Sequence, residues 1–455
     1  MRADRVSPNT VAVVDNTIDY MDQASFLGLR ARGRDPLIQW CWIYGHGVDI
    51  EALRRFHRNL GGGLLGRRIE RSPLPFGRHR WVAWPGPEDI EIASSARPRS
   101  DVRVWANEQA ARPIDPELGP SWRLAVLPLD EGGAAVTLIV SHTVADGGGA
   151  VVAVSEAVNG TTRDLGYPLP GSRSKRQALV EDSRVLMRGV PGMAKAVLAA
   201  ARVARNKRGI AGEKHRQPPP PVGIDSGREV TIPSVTVHVD AEQWDERARN
   251  LGGSGPTLLL GFGARCGQML GWVVDDGMVT LSVPISERTP DDTRANALTN
   301  VTFTVDPRTV ITDLSGVRAE FKSAMLDLDE RGNEILAPLP LVPLVPQRAV
   351  RRLEGVVLKD KEVGCSYLGD LDLSTNRPDG TDAESSFFLP FEQHLTFGDL
   401  RRGGGILHPL ISGRINGEVW VSIGFCNADG TTTREQLKEV AHDALADFGM
   451  TGIVE

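Results

Sequence analysis

The sequence predicts an α/β (α+β) fold, and three observations carry that expectation. Apolar, β-branched runs such as VTLIV at 136–140 read as buried strands. Between such runs stand segments with apolar residues at helical spacing, among them Leu53 and Phe56. A proline run, PPPP at 218–221, separates two stretches that each alternate strand and helix in this way. The 455 residues are about three times a typical ~150-residue domain, which leaves room for a large core.

In the first stretch, DNTIDYMDQASFLGLRARG reads as a short helix over a turn and PLIQWCWIYGHGV as a strand. Residues 49–60 follow as a helix that Asp49 can cap. HRWVAWP alternates as a strand, and SWRLAVLPL and AAVTLIVSH form two more, joined by the turn DEGG. Glycines 147–149 then open a helix, AVVAVSEAV, so residues 1–170 make one α/β unit.

Residues 171–225 read as a crossover linker. Arg184, Arg188, Lys195, Arg202, Arg205, Lys207 and Arg208 fall within 184–208 with no acid among them, and Met193, Val197, Leu198 and Ala201 recur at helical spacing. Such a segment is either a solvated linking helix with an apolar underside or a surface for anionic lipid heads or a phosphate-rich ligand. The prolines extend it as a stiff spacer. Residues 226–455 form the second unit: strands in REVTIPSVTVHVD, MVTLSVPIS and NVTFTVD, and helices in TLLLGFGARCGQMLGWVV and VRAEFKSAMLDLDERG. A hairpin turning at Asn416-Gly417 and a helix over 433–448 complete it.

Composition excludes several functions. A net charge of −6 gives no broad basic face for nucleic acid, and no such partner is expected. Cys41, Cys266, Cys365 and Cys426 are far apart and outside any Cys/His cluster, so neither a zinc site nor a disulfide framework is indicated. The N-terminal segment lacks the apolar core of a signal peptide, and no run approaches ~18 apolar residues. A reduced, cytoplasmic protein is expected, with the basic helix as its only candidate for peripheral contact with the inner membrane face. GFGARCG lies inside a helical pattern and lacks GxGxxG spacing, which argues against a nucleotide loop.

The chemistry concentrates in HTVADGGG at 142–149, where a histidine leaves the end of a buried strand and a carboxylate lies four residues on. Imidazole is the natural neutral base near pH 7. A metal pair would want further ligands that the neighbouring sequence lacks. A triad with Ser141 lacks a GxSxG elbow, and adjacent residues on a strand point to opposite faces. A lone histidine after a strand can also be structural. The glycines favour a site, since they let a ligand approach the backbone and expose amides at a helix start.

HTVADG resembles the HxxxDG signature of the acyltransferase superfamily that includes chloramphenicol acetyltransferase, nonribosomal peptide condensation domains and plant alcohol acyltransferases. The flanks resemble most the bacterial wax ester synthase/diacylglycerol acyltransferase branch and its polyketide-associated relatives. MDQASFL is similar to that branch's opening motif, and RPIDPELGPSWRLAVL to its "LD…PLW" segment. LGGSGPTLLLGFGARCGQML resembles its helix after a Gly-Gly-Thr turn, VPISERTPDDTRANALTNVTF its "PVS-x-R … GN" segment, and CSYLGDLD a Ser-Asn-centred segment. Departures are Ser141 for the first of two histidines, Pro256-Thr257 for Asn-Asp, Thr299 before Asn300 for the glycine of "GN", and Tyr367 for an asparagine.

The resemblance implies two chloramphenicol acetyltransferase-like subdomains packed side by side, with a central tunnel and His142 at its centre. His142 would be the general base, Asp146 would pair with Arg288 from the other half to fix the loop, and Gly147 would keep the tunnel open. Ser286, Asn300 and Ser366 are the candidates for substrate contacts. The donor implied is an acyl-CoA or an acyl-phosphopantetheine carrier protein, with no permanently bound cofactor and no metal. The acceptor is an alcohol, giving an ester, or an amine, giving an amide. A catalytically silent scaffold of the same fold is the third possibility. The paired halves complete the site, so a monomer suffices.

Overall fold

Pro36–Tyr44, Trp122–Pro128 and Ala134–Ser141 are buried along nearly their whole lengths, without the alternation of a sheet that faces water. In the computed structural model, which describes residues 14–208, 226–331, 336–346 and 361–455, they form the centre of a five-stranded sheet. Its order is Ser385–Glu392, Pro36–Tyr44, Ala134–Ser141, Trp122–Pro128, Glu91–Ile92. Helices Ile50–Gly61 and Gly147–Val158 cover one face through Leu53, Phe56, Ala153 and Val154. Trp105 and Ala106 of helix Val102–Ala111 cover the other. Asp49 caps helix Ile50–Gly61 as expected, its carboxylate accepting from the Ala52 amide at 3.0 Å.

The second sheet runs Ile453–Val454, Ser234–Asp240, Glu418–Asn427, Leu410–Ile415, Glu362–Asp370, Val279–Ser286, Leu298–Val305, with Gly405–Leu407 paired to Glu418–Asn427. Along Glu418–Asn427 the two faces divide cleanly. Val419, Val421 and Ile423 pack under helices Gly255–Met269 and Arg434–Asp447, while Trp420 faces the first half. The hairpin turns at Asn416 (φ 51°) and Gly417 (φ 78°), the pair of positive φ values that a two-residue turn of this type requires.

One strand crosses from the second half to the sheet of the first. Ser385–Glu392 leaves the second half and pairs antiparallel with Pro36–Tyr44, from Pro36 opposite Glu392 to Ile43 opposite Ser385. It is an edge strand, which is why Pro390 is tolerated within it. Phe388 on this strand contacts Trp40 of the first half (5.3 Å between ring centroids) and Trp420 of the second (6.1 Å). The halves therefore share one aromatic seam as well as a strand.

The basic segment forms a single helix, Lys175–Arg208. The proline run at 218–221 lies outside the described residues. No helix among the described residues is long and apolar enough to cross a membrane.

Candidate active site

The strand Ala134–Ser141 ends at the seam, and its last residues turn two ways. Ser141 Oγ donates to the Asp35 carboxylate at 2.9 and 3.2 Å. His142, half-buried, points its Nδ1 at Asn296 Oδ1, 3.1 Å away in the second half. Alternation along the strand thus separates the serine from the histidine, as the absence of a triad requires.

Asn296 decides which nitrogen of the ring is free. Its Nδ2 donates to Asp22 Oδ1 at 3.2 Å and to the His142 carbonyl at 3.3 Å. With both amide hydrogens turned to acceptors, the amide oxygen faces the imidazole and can only accept. Nδ1 therefore carries the ring proton, and Nε2 holds the lone pair. Asp22, fully buried, also accepts from the Ala295 and Asn296 amides at 2.9 and 2.8 Å. Burial pushes its carboxyl up to about 6, against the opposing pull of those amides and of the Arg67 guanidinium.

Asp146 and Arg288 meet as the resemblance implied. Arg288 Nη2 donates to Asp146 Oδ1 at 2.9 Å, and both side chains are 7% exposed. Asp146 also caps helix Gly147–Val158 by accepting from the Gly149 amide at 2.6 Å, and its Oδ2 accepts from the Ala297 amide at 2.8 Å. Arg288 is anchored further by the carbonyls of Ala295 (3.1 Å) and Arg294 (3.1 Å). Fully buried Arg67 bridges the halves again, donating to the carbonyls of Val144, at 2.9 Å, and Thr293. The loop 142–146 and the segment 288–297 are thereby held as one unit.

The glycines have different neighbours. A Cβ on Gly147 would lie 3.1 Å from the flexible end of Leu368 and 3.9 Å from Phe388, at the seam. A Cβ on Gly149 would lie 3.2 Å from both Arg288 Nη2 and Asp146 Oδ1, and because the ion pair holds those atoms in place Gly149 is the less forgiving position.

The remaining sequence candidates lie apart from the imidazole's hydrogen bonds. Ser286 is exposed at the end of Val279–Ser286, and its Oγ accepts from the Arg288 amide at 3.3 Å. Asn300 is exposed and donates to Ser282 Oγ at 2.8 Å. Ser366 sits on Glu362–Asp370 opposite Ile411. The asparagine that reaches the histidine is Asn296, preceded by Ala295, four residues before the one that the "GN" comparison singled out. A signal for this was present in LTNVTFTV, whose alternation puts Asn300 on the face opposite Val301 and Phe303.

Among the described residues no group of three or more His, Cys, Asp or Glu is placed to hold a metal ion. The four cysteines are buried and free, and burial raises their thiols, so none is poised as a nucleophile.

No protein-family model and no curated protein matches the chain. Solved structures do. Polyketide synthase associated protein 5 from Mycobacterium tuberculosis is 14% identical with a TM-score of 0.54, over 95% of this chain and 97% of that one. The first condensation domain of the CDA synthetase is 13% identical with a TM-score of 0.55, over 97% and 100%. The nonribosomal peptide synthetase FmoA3 is 18% identical with a TM-score of 0.55, where 98% of this chain matches 45% of that one. With a strand from the second half completing the sheet of the first, the chain has the α/β fold of the condensation domains, built from two chloramphenicol acetyltransferase-like subdomains.

Proposed function

We propose that the protein is an acyltransferase that moves a fatty or polyketide acyl group from a coenzyme A or carrier-protein thioester to an alcohol, as in the wax ester synthase/diacylglycerol acyltransferase branch. The observation that carries this reading is the setting of His142. Its Nδ1 is engaged by an acceptor-only oxygen, which leaves Nε2 as a base at the seam between two halves.

Nε2 takes the acceptor's hydroxyl proton as that oxygen attacks the thioester carbonyl. The carbon–sulfur bond then breaks, and the imidazolium returns the proton to the departing thiolate, so ester and free thiol are the products. General-base catalysis of this kind is worth roughly 10²–10⁴-fold. Bringing donor and acceptor to His142 through a tunnel from opposite faces of the seam supplies the alignment. Asp146, Arg288, Asp22 and Asn296 act as positioning residues, since each touches the loop or the ring rather than the reacting carbon. The proposed setting is cytoplasmic, and a monomer suffices because both halves of the site lie in one chain.

Amide formation is the second reading, favoured by the likeness to the condensation domain of the CDA synthetase. The test measures thiol release from acyl-CoA and acyl-carrier donors with alcohols and amines, with mass detection, for the native protein and His142→Ala. Ester formed by the native protein and lost in the variant supports the proposal. Amide alone moves it to the second reading, and equal release by both proteins overturns the role of His142.

A further inference from the structure

The long helix Lys175–Arg208 turns its apolar face away from the protein. Among the described side chains of this helix, Ala178, Asp182 and Ala196 are buried, at 6%, 6% and 2% exposure. Asp182 is held there by Ser72 Oγ and by Arg173 Nη1 at 2.7 Å, and a Cβ on Gly189 would lie 3.1 Å from Tyr20 Oη. These residues mark the line along which the helix meets the body. Met187 is nine residues from both Ala178 and Ala196, which at about 3.6 residues per turn is about two and a half turns, so it points directly outward. It is 69% exposed, and Leu198, Val197, Val180 and Val190 beside it are 62%, 54%, 51% and 47% exposed. The apolar underside expected from sequence is an apolar outer face.

One edge of that face is basic. At about 100° per residue Arg184, Lys195 and Arg188 fall in a row beside Met187 and Leu198, and all three are exposed. From Leu179 to Leu198 the stripe is roughly 28 Å long. An apolar stripe with a cationic border, interrupted by Pro191 and carried on a helix not apolar enough to cross a membrane, has the pattern of a helix lying in a membrane interface. A second copy of this chain fits less well, because antiparallel self-pairing would bring the cationic borders together.

We propose that the outer face of Lys175–Arg208 docks the protein on an anionic lipid surface, with Met187, Val190, Val197 and Leu198 entering the acyl boundary and Arg184, Arg188 and Lys195 meeting the headgroups. This does not depend on the reaction assigned to His142. Each basic residue near such a surface is worth about five-fold in affinity, an attraction that salt screens.

The test is co-flotation of the full chain with phosphatidylglycerol-containing vesicles and with neutral phosphatidylcholine vesicles, at low and high salt. Two triple variants accompany it: Arg184→Gln with Arg188→Gln and Lys195→Gln, and Met187→Ser with Val197→Ser and Leu198→Ser. Melting temperature and turnover of a soluble thioester are measured on the same samples, which separates loss of docking from loss of the enzyme. Preferential binding to anionic vesicles, weakened at least ten-fold in each triple variant, is the expected result. Absence of binding by the native chain, or binding indifferent to the apolar triple, overturns the proposal. So does a stripe variant that keeps vesicle binding and instead loses self-association or turnover with carrier-bound donor.

Discussion

Removing the Asp146 carboxylate tests whether the His142 loop depends on a bridge between the halves. Asp146→Ala leaves Arg288 buried without its anion and strips a helix N-cap. Breaking a buried pair costs about 3–5 kcal/mol and losing a cap about 1 kcal/mol. Arg288 keeps its bonds to the Ala295 and Arg294 carbonyls, which places the total near the low end, about 4 kcal/mol. At roughly 2.1 cal/mol/K per residue, a 455-residue chain unfolding as a unit has an unfolding entropy of roughly 1 kcal/mol/K. The melting temperature should therefore fall by roughly 4 °C, measured by calorimetry or fluorescence. Because Asp146 Oδ2 also holds the Ala297 amide, next to Asn296, turnover should fall as well. Adding Arg288→Met to Asp146→Ala should cost less than the sum of the two single changes, since the stranded charge is gone. A variant that melts with the native protein, or a double variant whose losses simply add, would refute the bridge.

Three further predictions follow from neighbouring contacts. Asn296→Ala should lower kcat about 10- to 100-fold with little change in KM, because the ring loses the acceptor that fixes its tautomer and orientation; steady-state kinetics at saturating donor decides it, and unchanged kcat would sink the positioning role. Gly149→Ala should destabilise by about 1–3 kcal/mol by crowding the Asp146–Arg288 pair, whereas Gly147→Ala needs only a small shift of Leu368 and should melt close to native; the reverse order in a melting assay would contradict the geometry. Asp35, pushed up to about 7 chiefly by burial, is protonated more readily folded than unfolded, so its contribution to stability is present below about pH 4 and lost as pH rises towards 7; Asp35→Asn should flatten that decline and raise the melting temperature at pH 8, and a variant with the native pH profile would count against it.

What the sequence made legible was local. The strands at 36–44, 122–128 and 134–141 and the Asp49-capped helix could be read because burial on both faces and capping leave their marks within a dozen residues. The strand Ser385–Glu392 left no such mark. SSFFLPFE carries a proline, and its partner is some 350 residues away in sequence, so only the tertiary fold shows it to be the edge of the first sheet. The Asp146–Arg288 pair was accessible through resemblance alone, since nothing within HTVADG or PISER points to a partner in the other half.

Asn296 shows that a motif comparison can name a segment without singling out the residue in it that reaches the histidine. RANALTNV offers two asparagines, and adjacency to a glycine-like position cannot choose between them. The physical distinction lies in the strand that follows. Asn300 belongs to the alternation of Leu298–Val305 and shares the solvent-facing side with Thr302 and Thr304, whereas Asn296 precedes that strand in a segment pinned by the buried carboxylates of Asp22 and Asp146. Asp22 lies in the opening MDQASFL stretch, more than 270 residues from the asparagine it holds. The opening motif and the "GN" segment therefore meet at one place, and their joint product is an amide oxygen that can only accept from the His142 ring. If that arrangement sets the tautomer, the chemistry of the base depends on a carboxylate that never touches substrate, and loss of Asp22 should lower turnover through Asn296 rather than independently of it.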